Sequence, residues 1–187
     1  MTAAARRWPD LYRRVAGTKD AGASRDLALL IARVALAWIF VYHGARTLFG
    51  SFGGPGIHRA SLFYGTVAHL HPATLFTVLG GSVECFGGAA VGVGVFGRLA
   101  GAGLAGDMVV AMATVTFGNG IVSNAPGAGY EINLALAALA SVVALLGTGR
   151  WSLDTVVGAR HRASRDAKVG HRAEVRYEDR PEHIPAS

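Results

Sequence analysis

Four long apolar stretches divide the chain, and each approaches the length that a helix needs to cross a lipid bilayer. A helix rises about 1.5 Å per residue, so about 20 apolar residues cover a hydrocarbon core of roughly 30 Å. The stretches run from Leu27 to Phe49, from Ala73 to Phe96, from Leu99 to Ile121 and from Ile132 to Leu146. This pattern predicts an all-α fold, in which four transmembrane helices form an antiparallel bundle.

The connections between these stretches support the antiparallel arrangement. The second and third spans meet at Gly97 and Arg98, and the third and fourth are joined by the uncharged segment SNAPGAGYE. Links this short place consecutive helices side by side in opposite directions. The first two spans are separated by residues 51–72, where Gly and Pro interrupt the helix while Phe63 and Tyr64 are apolar enough to rest on the membrane. We expect a structured loop there.

The basic residues lie almost entirely at the two ends of the chain. Fourteen of the 18 Lys and Arg residues precede residue 26 or follow residue 149. Because Lys and Arg beside a span stay on the cytoplasmic side, both ends are expected in the cytoplasm. The interpretation has three parts: a basic N-terminal segment (1–25), a membrane domain (26–154) and a charged tail (155–187). The tail has too few large apolar residues to fold alone, so we expect both ends to be disordered.

Composition narrows the classes of function. The chain is 51% hydrophobic and 16% charged, and the charged share lies below the roughly 25% of soluble domains. Its basic residues form no single face, so nucleic acid is not an expected partner, whereas anionic lipid headgroups are. The single cysteine, Cys85, excludes an internal disulfide or a Cys-rich metal site, and His43 is alone among the histidines in lying within a span. We predict no intrinsic cofactor and no metal site.

Glycine-rich motifs in the second and third spans indicate helix packing. Residues 92–97 read GVGVFG and residues 101–106 read GAGLAG, both formal matches to a dinucleotide-binding motif. That motif needs a preceding strand, which a membrane helix does not supply. Small residues four apart allow the backbones of neighbouring membrane helices to approach closely. We therefore expect Gly88, Gly92, Gly97 and Gly101 to lie at helix contacts.

Three ionisable residues lie well inside the predicted spans: Arg33, Glu84 and Asp107. Each costs about 2.5 to 3.5 kcal/mol to insert, so each needs a partner or a function. One interpretation pairs Arg33 with Asp107 or Glu84 as a buried ion pair that fixes helix register. The other places a proton-handling site here. Two carboxyl groups face one guanidinium, so one of them, for which we choose Glu84, is a candidate proton carrier.

A second polar group is expected near the outer ends of the spans. Its members are His43, Arg46, Asn119, Tyr130 and Glu131. They could simply cap helices and close the outer rim. They could instead form one binding pocket with an apolar floor supplied by Phe40 and Phe117, in which His43 also handles protons.

Several segments together resemble the DoxX family. The resemblance rests on YHGARTLFGSFGGPG at the end of span one, on GGSVECFGGAAVGVGVFGRLAG in span two, and on GYEINLALAALASVVALLGTGRWSLD in span four. It covers roughly Arg25 to Asp154. The matching polar positions are Arg33, His43, Gly44, Arg46, Glu84, Tyr130 and Glu131. The resemblance implies a four-helix, multi-pass protein of a bacterial inner membrane.

The resemblance also implies a functional setting. Relatives include a subunit linked to thiosulfate oxidation with quinone as acceptor, and members associated with a superoxide dismutase and a sulfurtransferase in oxidative-stress defence. The leading hypothesis is therefore a membrane component of a redox or oxidative-stress system, quinone-linked, whose electron-carrying centre belongs to a soluble partner. Two alternatives stay open: a non-catalytic scaffold that recruits soluble oxidoreductases, and a small proton-coupled transporter. Whether the chain is itself an enzyme, and whether it forms a homo-oligomer, are left open.

The orientation is testable with reporter fusions. We expect fusions at both termini to report a cytoplasmic location and a fusion beside His58 to report an external one, because basic residues flank both ends of the membrane domain. Alkaline phosphatase and fluorescent protein activities in intact cells give the measurement. An external C-terminus would contradict the four-span arrangement.

Overall fold

A computed structural model of the protein describes residues 21–122 and 127–159. Over these two ranges the backbone forms helices and turns and contains no strand. The predicted disorder of the chain ends falls mainly outside the described residues, where it stays a prediction; in the parts that are described, 21–25 and 155–159, the prediction is wrong because the backbone is helical.

Six helices follow one another. Their bounds are α1 Ala21–Phe49, α2 Gly56–Thr66, α3 Ala73–Val93, α4 Gly97–Asn119, α5 Glu131–Leu146 and α6 at residues 153–159. Three of them, α1, α3 and α4, are long and apolar enough to cross a membrane, and α5 is a shorter apolar helix of 16 residues. The predicted all-α membrane bundle is therefore confirmed, and four helices occupy the predicted apolar stretches.

The segment between the first two spans contains the helix α2, which the sequence analysis described only as a structured loop. Its 11 residues begin after Pro55 and end at Thr66. Gly and Pro stand mainly outside this stretch, so residues 57–64 are free to form helical turns. Ala60 is the one buried residue of α2, which therefore lies on the bundle and is not part of its core.

Glycines at the helix contacts let the backbones approach closely, as predicted. A Cβ on Gly44 of α1 would clash with the backbone of Cys85 in α3, and one on Gly92 would lie 2.8 Å from the Cβ of Ala37. A Cβ on Gly101 of α4 would lie 2.9 Å from the carbonyl oxygen of Ala140 in α5. Such close approach is how membrane helices gain packing energy when lipid offers no hydrophobic driving force.

Arg33 is buried, with 1% of its surface exposed, and it binds backbone carbonyls. Its Nε donates to Val91 at 2.8 Å and its Nη2 to Gly92 at 2.7 Å, both in the last turn of α3. Its Nη1 donates to Thr148 at 2.7 Å and to Trp151 at 2.8 Å, in the turn between α5 and α6. The predicted ion pair of Arg33 with Asp107 or Glu84 is wrong. The carbonyls at the end of a helix have no N–H partner within the helix, so the guanidinium binds these carbonyls and not a carboxylate.

Asp154 completes the same end of the bundle. Its carboxylate accepts from the backbone N–H of Phe96 at 3.1 Å and of Gly97 at 3.3 Å, where α4 begins. Its own N–H donates to the carbonyl of Gly94 at 3.0 Å. An acidic side chain stabilises the first turn of a helix, whose N–H groups are unpaired and partly positive. We call Arg33, Gly94 and Asp154, with the carbonyls that Arg33 binds, the end clasp.

Arg33→Leu tests the end clasp. Four carbonyls would lose their donor inside the bundle, and each unsatisfied buried group costs about 1 to 3 kcal/mol, so we expect thermal unfolding in detergent at a midpoint lower by roughly 6 °C or more. Arg33→Lys should recover only part of the loss, because an ammonium lacks the planar fork of a guanidinium. The matched control is Arg98→Leu, which removes one exposed bond to Leu145. Equal midpoints for the Leu variants would contradict this role.

Candidate functional site

Glu84 lies in an irregular turn of α3. Residues Val83–Gly87 form a π turn, and α4 contains a second one at Met112–Thr116. A π turn inserts one extra residue into a helix and frequently occurs at functional sites. Two cavities lie between these turns, and residues of both turns line them. The irregular turns therefore coincide with the candidate site.

The first cavity, which we call the carboxyl cavity, has a volume of about 90 Å³. It holds both intramembrane carboxyl groups, Glu84 and Asp107, and the phenol of Tyr64 from α2. Apolar side chains supply most of the remaining wall. It is lined by Phe63, Tyr64, Ala68, Leu70, Glu84, Asp107, Val110, Ala111, Thr114 and Val115. The predicted proximity of the two carboxyl groups thus holds, without Arg33 between them.

Tyr64 and Asp107 meet at Gly80 of α3. A Cβ at Gly80 would lie 2.8 Å from the Tyr64 hydroxyl oxygen and 3.5 Å from Oδ1 of Asp107. Burial raises the pKa of Tyr64 above its usual value, and the nearby Glu84 and Asp107 raise it further. The phenol therefore keeps its proton and is a hydrogen-bond donor within this cavity.

The second cavity, which we call the histidine cavity, has a volume of about 370 Å³. It brings His43 of α1 together with Glu84 of α3 and Asn133 of α5. Its walls are mostly apolar. It is lined by Ile39, Phe40, His43, Phe63, Glu84, Met108, Ala111, Val115, Thr116, Ile132, Asn133 and Leu136. Glu84 lines both cavities, so its carboxyl group lies at the boundary between them.

Asn133 is held in place by Thr116. Its Nδ2 donates to Oγ1 of Thr116 at 3.1 Å, and this bond joins α5 to the π turn of α4. The amide nitrogen carries two N–H groups, so a second donor remains for a ligand. Asn133 was not among the predicted site residues, although an amide inside an apolar span is itself a signal of a polar contact. Tyr64 was expected to rest on the membrane surface.

The predicted outer pocket is divided in the structure. His43 and Phe40 line the histidine cavity, as expected of a pocket residue and its apolar floor. Arg46 instead turns toward its own loop, where Nη1 donates to the carbonyl of Phe52 at 2.8 Å and to the Tyr42 hydroxyl at 3.2 Å. His43 and Arg46 are three residues apart on α1 and were expected to share one pocket. Arg46 lies nearer the irregular backbone that follows Phe49, and its guanidinium binds a carbonyl there, so the two side chains have different contacts.

The other members of that group lie at the junction of α4 and α5. Asn119 donates from Nδ2 to the carbonyl of Ala128 at 2.9 Å, which closes the connecting segment. Tyr130 stacks on Phe117 with ring centroids 5.7 Å apart, and Glu131 is exposed at the start of α5. The four predicted members other than His43 do not line the histidine cavity; they are Arg46, Asn119, Tyr130 and Glu131. Their predicted role in ligand binding stays a prediction. The observed contacts of Asn119 and Tyr130 are local ones at the junction of α4 and α5.

A third concavity lies on the opposite side of α1. It measures about 670 Å³ and its lining is almost wholly apolar, with Trp38, Val41 and Gly92 among the residues that form it. It contains neither intramembrane carboxyl group nor His43. Glu84, Asp107 and His43 therefore line the other two cavities and not this one. Within the described residues, no group of three or more His, Cys, Asp or Glu side chains could hold a metal ion.

Comparison with known proteins gives one match. A family model described as DoxX matches residues 28–117, which extend from α1 into the last turn of α4. The match includes Arg33, His43, Glu84 and Asp107, whereas α5 with Asn133 lies beyond it. No curated protein and no solved structure matches the chain.

Gly80→Ala tests the carboxyl cavity. The added methyl group would collide with the Tyr64 hydroxyl, so the Tyr64 side chain must shift within the cavity, and overpacking of this kind costs about 1 to 3 kcal/mol. We expect a lower unfolding midpoint in detergent, and we expect Tyr64→Phe in the same chain to restore most of it. Gly106→Ala is the matched control, because a Cβ there meets nothing within 4 Å. Failure of Tyr64→Phe to restore stability would show that Tyr64 does not pack on Gly80.

Proposed function

Since this chain belongs to the DoxX family of membrane proteins, we propose that it is the membrane component of a redox system and binds a quinone ring in the histidine cavity. The observation that carries the proposal is a cavity of about 370 Å³ with mostly apolar walls and four polar side chains, His43, Glu84, Thr116 and Asn133. Ligand sites of this kind usually measure about 300 to 1,000 Å³ and have few polar groups, which fix the orientation of the ligand.

The polar groups of the cavity suit the two carbonyl oxygens of a quinone. The second N–H of Asn133 and a ring N–H of His43 are donors, and they come from α5 and α1. Phe40 and Phe63 supply aromatic surface against which a flat ring can pack. A ring held by donors from two different helices is oriented as well as bound.

Glu84 is the group that we propose to move protons. Conversion of a quinone to a quinol takes up two electrons and two protons, so a ring bound away from water needs a proton donor beside it. Glu84 lines the histidine cavity and the carboxyl cavity, where Asp107 is a further proton carrier and Tyr64 is a hydrogen-bond donor. The carboxyl cavity has room for about three water molecules, which could connect these groups.

The electrons come, in this proposal, from a soluble oxidoreductase at the membrane surface. A superoxide dismutase or a sulfurtransferase is a candidate partner, and a thiol or thiosulfate is the candidate reductant. The scaffold and the proton-coupled transporter remain the competing functions. The scaffold needs no ligand in the histidine cavity, and the transporter needs proton flux without a quinone, so a direct binding measurement separates them.

The test is equilibrium binding of a short-chain quinone to the purified full-length protein in lipid nanodiscs. We expect His43→Leu and Asn133→Leu each to weaken binding about tenfold, the effect of losing one well-placed hydrogen bond. His58→Leu is the matched control, because His58 is exposed on α2 and lines neither of the two cavities. Glu84→Gln should bind within about threefold of wild type, since the amide keeps the shape of the carboxyl group.

Two results would overturn the quinone site. Absence of quinone binding by the wild-type protein would leave the scaffold and the transporter as the functions to pursue. Equal loss in the His58→Leu and His43→Leu variants would show that the quinone partitions into the nanodisc or binds elsewhere.

A further inference from the structure

Two arginines converge at the end of the bundle where α1 begins and α5 ends. Nη2 of Arg25 donates to the carbonyl of Leu146 at 3.3 Å, and Nη2 of Arg98 donates to the carbonyl of Leu145 at 3.1 Å. These carbonyls are consecutive in α5, so the two guanidinium groups lie within about 10 Å of each other. The partly negative end of α5 favours their approach but does not neutralise two full charges.

The nearby carboxylates are engaged elsewhere. Oδ1 of Asp26 accepts from the backbone N–H of Arg150 at 3.2 Å, and Oδ2 lies 4.0 Å from Nε of the same residue. Asp154 accepts from the backbone where α4 begins, as part of the end clasp. Within the described part of the chain, neither Arg25 nor Arg98 forms an ion pair. Each guanidinium has five N–H groups, and each uses one of them here.

The surface around the two arginines is apolar. Leu99 and Leu145 are 76% and 74% exposed, and Trp151 is 56% exposed. Leu99 follows Arg98 in the first turn of α4, and Leu145 supplies the carbonyl that Arg98 binds. Exposed leucines pack against acyl chains in a bilayer, and Trp is enriched at the level of the headgroups. The patch thus combines positive charge at the interface with apolar surface next to it.

We propose that Arg25 and Arg98 form a binding site for the phosphate of an anionic phospholipid, whose acyl chains lie along Leu99 and Leu145. A phosphate accepts paired N–H groups from more than one guanidinium, and two guanidinium groups that bind consecutive carbonyls lie near enough to each other for one phosphate to contact both. The sequence analysis expects this face in the cytoplasm, where anionic lipids concentrate and where basic pockets between helices bind their headgroups. The site is independent of the proposed redox function.

The experiment is native mass spectrometry of the full-length protein in neutral detergent, titrated with phosphatidylglycerol, phosphatidylcholine or inorganic phosphate. We expect phosphatidylglycerol to bind more tightly than phosphatidylcholine. In the double variant Arg25→Gln, Arg98→Gln the affinity for phosphatidylglycerol should fall on the order of 30-fold. The matched control is Arg59→Gln, an exposed arginine of α2 at the other end of the bundle. Unfolding midpoints without lipid show whether each variant folds.

Each other outcome counts against the proposal in a defined way. Unchanged affinity in the double Gln variant would place lipid binding on the basic chain ends and overturn the site. Inorganic phosphate that binds as tightly as phosphatidylglycerol would overturn the lipid as its ligand. If the double Gln variant does not fold, the affinity of a second double variant, Arg25→Lys with Arg98→Lys, tests the site instead. This variant keeps the charge but loses the paired N–H groups of the guanidinium, so its affinity should fall about fivefold, and an affinity equal to that of wild type would overturn the bridged phosphate.

Discussion

The constraint on which the bundle depends is the set of four carbonyls that Arg33 satisfies. In lipid no water reaches such groups, so the end of α3 and the turn after α5 need an internal donor. One guanidinium from α1 donates to both, at 2.7 to 2.8 Å, and thereby fixes three parts of the chain relative to one another. Once α1 and α3 are fixed at this end, the close contact of Gly44 with Cys85 sets their separation farther along, beside the residues of the site.

This use of Arg33 determines what is left for chemistry. Had the guanidinium paired with Glu84 or Asp107, those carboxyl groups would serve to hold the helices in register. In the structure they share a cavity with Tyr64 and have no basic side chain among the residues lining it. Ionisable groups inside a membrane are costly and usually functional. The structural charge and the candidate catalytic charges of this bundle are therefore carried by different residues.

The sequence predicts features that depend on composition and on the spacing of apolar and small residues. It does not predict which neighbour a side chain faces, because this depends on how each helix is rotated about its axis. Span lengths and small residues are local properties. Three helices are long enough to cross a membrane, the fourth is shorter at 16 residues, and Gly92 and Gly101 lie at close helix contacts. Counting residues along a span gives the depth of a residue in the membrane, and similar depths correctly predicted that Glu84 and Asp107 lie near each other. Depth alone cannot reveal that Arg33 faces carbonyls freed at a helix end, or that Asn133 turns toward Thr116. The inward position of Tyr64 depends on how α2 folds back, which no periodic pattern encodes.

The two ends of the bundle differ in how firmly they are held, and this difference bears on how a ligand reaches the site. The end of the bundle where α3 ends and α4 begins is joined by the end clasp. At the other end α2 carries a single buried residue, Ala60, and the backbone before it passes through left-handed conformations at Gly50 and Gly53. Phe63 of α2 lines both the carboxyl cavity and the histidine cavity. Any displacement of α2 therefore changes both cavities together, and in the proposed function this one side chain would couple ligand entry to the access of protons to Glu84.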